Sequence, residues 1–252
     1  MDEPVALPVP EDDPKWRVWR ALLAASLSIP GARIDRAAFL QSQLQPHFSE
    51  AIVEIAVKER PAVAGIPREG IDKLADSCIR WHVLMVSSWS FVTGLPGWPW
   101  IAGTIPADLA QFYWHAVVLS QKLAYLYGWP DLLDEQSAVD DETILRITLF
   151  VGVMMGAQAA NRALAELAER FAMEVARQLP HQALTKFGLF NLAKQIGKWI
   201  GIQITKSSFS RTISRVIPIV GGFVSAGVSA AMMIPMARRL KNHLRTLRYA
   251  SE

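Results

Sequence analysis

The amino-acid sequence predicts an all-α fold. Apolar residues recur at helical spacing in one segment after another, and helix-start and helix-stop residues bracket those segments. No run shows the sustained apolar–polar alternation of a multistrand sheet. With 252 residues and no long flexible linker, the chain is expected to build a single compact multi-helix domain. Residues 1–13 read as an acidic, proline-rich amino-terminal tail and 14–248 as the helical domain.

Asp13 before Pro14 opens the first helix, where Lys15, Trp16, Arg17, Trp19 and Arg20 lead into an apolar run ending near Pro30 and Gly31. Asp35 caps a second helix through Leu44, and Pro46 separates it from a third over Ser49 to Lys58. After a Pro/Gly-rich interruption between Gly65 and Gly70, a long periodic stretch runs from Ile71 to Val92 and ends at the loop containing Gly94, Gly97, Trp98 and Trp100. Pro106 opens a strongly apolar helix to about Tyr127, closed by Gly128 and Pro130. Asp140 or Asp141 caps a long helix toward Arg177, and Pro180 breaks the chain again. The remainder reads as helices from about Ala183 to Gln203, Ser207 to Val216 and Ile219 to Arg248, with a glycine-rich helical hairpin near the carboxy end.

Composition narrows the function class. Hydrophobic residues make up 51% of the chain and charged residues 19%, so part of the apolar surplus is expected to be buried or to face lipid. The amino-terminal residues lack the basic and apolar regions of a secretory signal, which points to the cytosol. The single cysteine, Cys78, reads as a small core residue. Charge is strongly segregated: residues 1–174 hold 14 basic and 22 acidic side chains, whereas residues 175–252 hold 12 basic and one acidic, Glu252. Such a field attracts something negative, or the two parts of the chain fold together and neutralise each other.

The basic segment between Lys186 and Arg215 interleaves Lys194, Lys198, Lys206 and Arg211 with Phe187, Phe190, Ile196, Trp199, Ile200 and Ile204. That is the pattern of an interfacial helix drawn to anionic lipid, and also of a core-packing helix with a solvated basic face. Beyond it, 216–237 is uncharged and followed by Arg238, Arg239 and Lys241, which suits a buried hairpin or a membrane span. Pro218, Pro235, Gly221, Gly222 and Gly227 favour the buried hairpin, because small residues permit close helix contact. The equally uncharged stretch 83–107 is broken by glycine and proline, so it cannot cross lipid as one regular helix. Its Trp98 and Trp100 are placed to dip into headgroups or to pack beneath the loop.

One constellation carries potential chemistry. Asp108, Gln111, His115 and Lys122 fall within a stripe of roughly 60° on an otherwise greasy helix. The stripe reads as a hydrogen-bond network between helices, or as an acid–base site in which Asp108 orients His115 and Gln111 positions a ligand. No phosphate loop, dinucleotide fingerprint or serine elbow is present, and the spacing of the five histidines suggests no metal site. No cofactor is indicated. Nucleic acid is not the expected partner, since no reading module accompanies the basic charge.

Gly94-Leu-Pro-Gly97, the run Ile105-Pro-Ala-Asp-Leu109 continuing to Leu126-Tyr-Gly128, Ile217-Pro-Ile-Val-Gly-Gly222, Ser225-Ala-Gly227 and Pro235-Met-Ala-Arg-Arg-Leu240 together resemble the bacterial EcsC family, in order and spacing, over roughly residues 70 to 245. The resemblance implies a helical intracellular protein of a family named for a component encoded beside an ABC transporter. It places Pro106, Asp108, Gly128, Pro218 and Gly222 in family motifs without assigning them chemistry. The expectation is a peripheral protein on the inner face of the cytoplasmic membrane, bound to anionic lipid or a membrane complex. Lys194, Lys198, Lys206, Arg211 and Arg215 would supply attraction, and Trp98, Trp100 and Trp199 insertion. The alternatives are a lipid- or small-molecule-directed enzyme using Asp108, Gln111 and His115, and an integral protein spanning at 216–237. The oligomeric state is left open.

Overall fold

The computed structural model describes residues 9–93, 107–133, 141–177, 188–213 and 218–247. Every regular element among them is helical: α1 Pro14–Leu27, α2 Arg36–Leu44, α3 Glu50–Lys58, α4 Arg68–Thr93, α5 Ala107–Leu126, α6 Asp141–Met155, α7 Gln158–Arg177, α8 Gly188–Ile213 and α9 Pro218–Thr246. The all-α expectation is met. Gly94, Gly97, Trp98, Trp100, Pro106 and Arg215 lie outside the described residues. For Asp108, Lys206, Arg211, Pro218, Gly221, Gly222 and Gly227 only the helical backbone is described.

Local chemistry sets the helix ends. The Asp13 carboxylate accepts from the backbone N–H of Lys15 at 2.9 Å and of Trp16 at 3.3 Å, with Pro14 filling the first helical position. Asp35 accepts from the Ala38 N–H at 2.8 Å. Gly128 closes α5 in the left-handed region (φ 88°), where the Trp129 N–H donates to the Ala124 carbonyl and the Gly128 N–H to that of Tyr125.

Two expected boundaries move. The single helix expected toward Arg177 is cut at Gly156 (φ 89°), where the Ala157 N–H reaches the Gly152 carbonyl and the Gly156 N–H that of Val153. This left-handed cap ends α6 and lets α7 start in a new direction. Conversely, the two helices expected on either side of Ser207 are one. Thr205 inside α8 returns its hydroxyl to the Gly201 carbonyl at 2.7 Å, so its polarity is absorbed without breaking the helix.

α5 is the centre. It packs against α1, α2, α4, α6 and α9, and its side chains from Leu109 onward are almost all buried, as a helix apolar on every side must be. α4 and α9 form its most extensive neighbouring pair, α1 crosses α8, and α6 touches α7, α8 and α9. Two polar contacts inside this core tie its elements together. Trp19 on α1 donates its indole N–H to Thr148 on α6 at 2.8 Å. Gln121 on α5 accepts from the Ile34 N–H at 3.0 Å and donates to the Ala32 carbonyl at 2.7 Å, fixing the α1–α2 connection.

The segregated charge is largely internal among the described residues. Ion pairs join Glu11 to Lys194, Asp13 to Lys198 at 2.8 Å, Asp72 to Arg245 at 2.9 Å and Asp76 to Lys241 at 2.7 Å. Each links the acidic first part of the chain to the basic last part. Residues 9–13 are therefore not a free tail: Val9 is buried, and Glu11 and Asp13 are tied to α8. Among the described residues, no helix is long and apolar enough to cross a membrane. α9, which covers residues 218–237 of the span considered, does not meet that condition.

Candidate functional site

Of the side chains expected to form a basic lipid-binding face, those of Lys194, Lys198 and Trp199 are described. Lys194 is only 6% exposed and Lys198 is paired to Asp13, so both act as counter-charges to the amino-terminal segment. Trp199 is half-buried and packed against the core. Lys194 and Lys198 thus point toward the segment that leads into α1, where their charge is used inside the molecule.

The polar stripe of α5 leads to a different arrangement. Gln111 is half-buried one turn before His115. His115 is buried, and its partner is His82 on α4: the two Nδ1 atoms are 3.0 Å apart and the rings meet edge to face. The second nitrogen of His82, Nε2, lies 3.3 Å from Lys122 Nζ. Lys122 also lies beneath the Trp81 ring at 5.0 Å from its centroid and 5.9 Å from that of Phe39.

These contacts assign the tautomers. A charged Lys122 has only protons to give, so with it His82 Nε2 accepts, which puts the His82 proton on Nδ1. His82 Nδ1–H then donates to His115 Nδ1, leaving the His115 proton on Nε2. The result is a directional chain from Lys122 through His82 to His115. Burial, reinforced by the Lys122 charge, pushes His115 down to about 4 and His82 further, to about 2, so both imidazoles are neutral at physiological pH. Burial also lowers Lys122, partly offset by the Cys78 thiol one turn before His82 on α4; Cys78 itself is raised by its burial. Among the described residues no carboxylate pairs with Lys122, and no group of three or more His, Cys, Asp or Glu side chains is placed to hold a metal.

A second feature lies on the other flank of α4. Between α4 and α9 an open groove of about 520 Å³ is lined by Ile79, Val83, Leu84 and Ile234, with Asp76, Arg80, Ser87 and Arg238 at its edges. Asp76 is taken by Lys241, whereas Arg80 and Arg238 are exposed and have no carboxylate partner among the described residues. Leu84, which lines the groove, is 60% exposed, and Trp81 on the same helix is 49% exposed. The exposed stripe of α4 thus runs from Lys73, Ser77 and Arg80 to Trp81 and Leu84, becoming apolar toward the uncharged stretch 83–107.

Sequence reasoning found His115, Gln111 and Lys122 but missed His82 and the groove. The available signal was that Cys78 and His82 share the buried face of α4, one turn apart in an apolar run. No family model, curated protein or solved structure matches the chain.

Proposed function

We propose that this chain is a peripheral protein of anionic membrane surfaces, docking through the exposed edge of α4 and α9. The observation that carries this reading is the α4–α9 groove rimmed by two arginines that have no carboxylate partner among the described residues. Arg80 and Arg238 would meet lipid phosphates, while Trp81 and Leu84 enter the headgroup boundary. Trp98 and Trp100 follow α4 in sequence and belong to the same uncharged stretch.

The balance of forces fits reversible attachment. A basic residue near an anionic surface contributes about 1 kcal/mol, and a large apolar side chain moved fully from water about 2 kcal/mol. Two arginines with two partly exposed apolar side chains then hold the protein weakly, in a salt-sensitive way. The resemblance to a membrane-linked family points the same way. The charge in this proposal comes from α4 and α9, since Lys194 and Lys198 on α8 are engaged internally.

Flotation of the full chain with vesicles tests the reading. Binding is expected to vesicles containing phosphatidylglycerol and not to pure phosphatidylcholine, with a loss of about tenfold or more in Arg80→Glu/Arg238→Glu, following the two attractions converted to repulsion. Equal binding to both vesicle types, or retention by the double reversal, would overturn it.

A further inference from the structure

The hydrogen-bonded chain on α5 and α4 contains a feature that membrane docking does not use. Lys122 is a half-buried amine with an imidazole acceptor on one side and aromatic faces on the others. A purely structural lysine in such a place normally meets a carboxylate, and none is present among the described residues. We propose that Lys122 is a nucleophilic amine that condenses reversibly with a carbonyl compound, with His82 as its proton shuttle.

The geometry supports each step. The Trp81 ring that covers Nζ is itself half-exposed, so a small aldehyde or ketone reaches the amine along the edge of that ring. An aromatic or apolar body on the carbonyl compound would lie against Trp81. The Nζ lone pair attacks the carbonyl carbon, forming the C–N bond while the π electrons move to oxygen. His82 Nε2, 3.3 Å away, takes a proton from the new ammonium and returns it to the oxygen. The C–O bond then breaks, a further proton from nitrogen leaves with the oxygen as water, and an imine remains. Amine and carbonyl give imine and water, with no oxidant or reductant.

His115 supports the shuttle. When His82 carries the extra proton, its Nδ1–H still has the His115 Nδ1 acceptor at 3.0 Å. The repulsion that a charged Lys122 exerts on a charged His82 disappears once the nitrogen is neutral, as it is after the proton has passed to His82. Among the described residues, the titratable groups facing Lys122 are Cys78 and His82 from α4 and His115 from α5, while α2 contributes only the Phe39 ring. None of these supplies a fixed negative charge at neutral pH, and burial moves the amine below the usual lysine range, in the direction of a desolvated catalytic lysine.

Competitive labelling decides the matter. The full chain is treated with benzaldehyde and sodium cyanoborohydride across pH 6 to 9, and benzylated lysines are mapped by peptide mass spectrometry. Lys122 is expected to be labelled about tenfold faster than exposed Lys58 and Lys73 at pH 7, with its labelling rising at lower pH than theirs, as the greater free-amine fraction dictates. His82→Gln should slow labelling at Lys122 by about tenfold or more and leave Lys73 unchanged. Labelling of Lys122 in the unaltered protein no faster than Lys73 overturns the proposal, whether or not the His82 variant folds.

Discussion

His82 and His115 face each other Nδ1 to Nδ1 at 3.0 Å across the α4–α5 contact, both nearly excluded from water. At least one ring must be neutral in this arrangement, because two imidazolium ions would each present a proton to the other. The pair is therefore both a register pin for α4 on α5 and a point of acid weakness.

Stability is expected to fall with pH in a defined window. The folded values of His82 and His115 lie below the unfolded value of 6.5, so the unfolded chain binds more protons as pH drops. Their contribution is complete above about pH 6.5 and is lost as pH falls through about 4 for His115 and toward about 2 for His82. Each ring contributes up to about 1.4 kcal/mol per pH unit. His243, lowered by burial, acts in the same direction. Urea unfolding between pH 7 and 5 checks this: His115→Asn should flatten the slope by about one proton, and an unchanged slope refutes the neutral pair.

The Glu11–Lys194 contact predicts coupling between the amino-terminal segment and α8. Lys194 is buried while Glu11 is more than half exposed, so the bond is charge-assisted at one end and screened at the other. A double-mutant cycle of Glu11→Ala and Lys194→Met should give about 1–2 kcal/mol of coupling. The lysine bond holds Glu11 below its usual range, so this contribution is present above pH 4.5 and is lost in stronger acid. Additive effects at pH 7 would show the contact to be incidental.

Thr148 provides a test of the core. Both it and Trp19 are fully buried, and its hydroxyl accepts from the indole while donating to the Ile144 carbonyl at 2.6 Å. Thr148→Val keeps the shape and strands the Trp19 N–H, at an expected cost of about 1–3 kcal/mol in thermal or urea unfolding. Thr148→Ser keeps the bond and should lose less. Equal losses would show that the methyl group, not the hydrogen bond, matters here.

What could be read from the sequence was local. Asp13, Asp35 and Gly128 mark helix ends because capping depends on neighbours within a turn. Gly156 did not announce itself: it lies between apolar Met155 and Ala157, and only its positive φ distinguishes it from a tolerated helical glycine. The stripe on α5 revealed His115 and Lys122 because they share one helix. His82 stands 33 residues away from His115 and depends on how α4 docks. Glu11 and Lys194 are separated by 183 residues, so charge segregation was legible, with internal neutralisation as one of its two readings, while the pairing of these two residues was not.

The crossing of α1 and α8 supplies the sharpest packing prediction. A Cβ on Gly201 would come 2.1 Å from the Lys15 carbonyl oxygen and 2.9 Å from its carbonyl carbon. Both are backbone atoms of α1, which cannot rotate aside as a side chain can. Gly197, one turn earlier, would meet the Trp16 ring at 2.4 Å and the Trp19 ring at 2.7 Å. The two glycines form the slot into which α1 fits, carrying Trp19 to Thr148. Gly201→Ala must push the helices apart, at a cost of about 3 kcal/mol or more, the upper range for overpacking. Gly70→Ala in α4 makes the contrast: its nearest neighbour would be Phe48 at 3.7 Å, an ordinary contact, so better helix propensity should stabilise by up to about 1 kcal/mol. Thermal unfolding of the two variants should move in opposite directions. If Gly201→Ala melts no lower than the parent, α1 and α8 do not cross this closely.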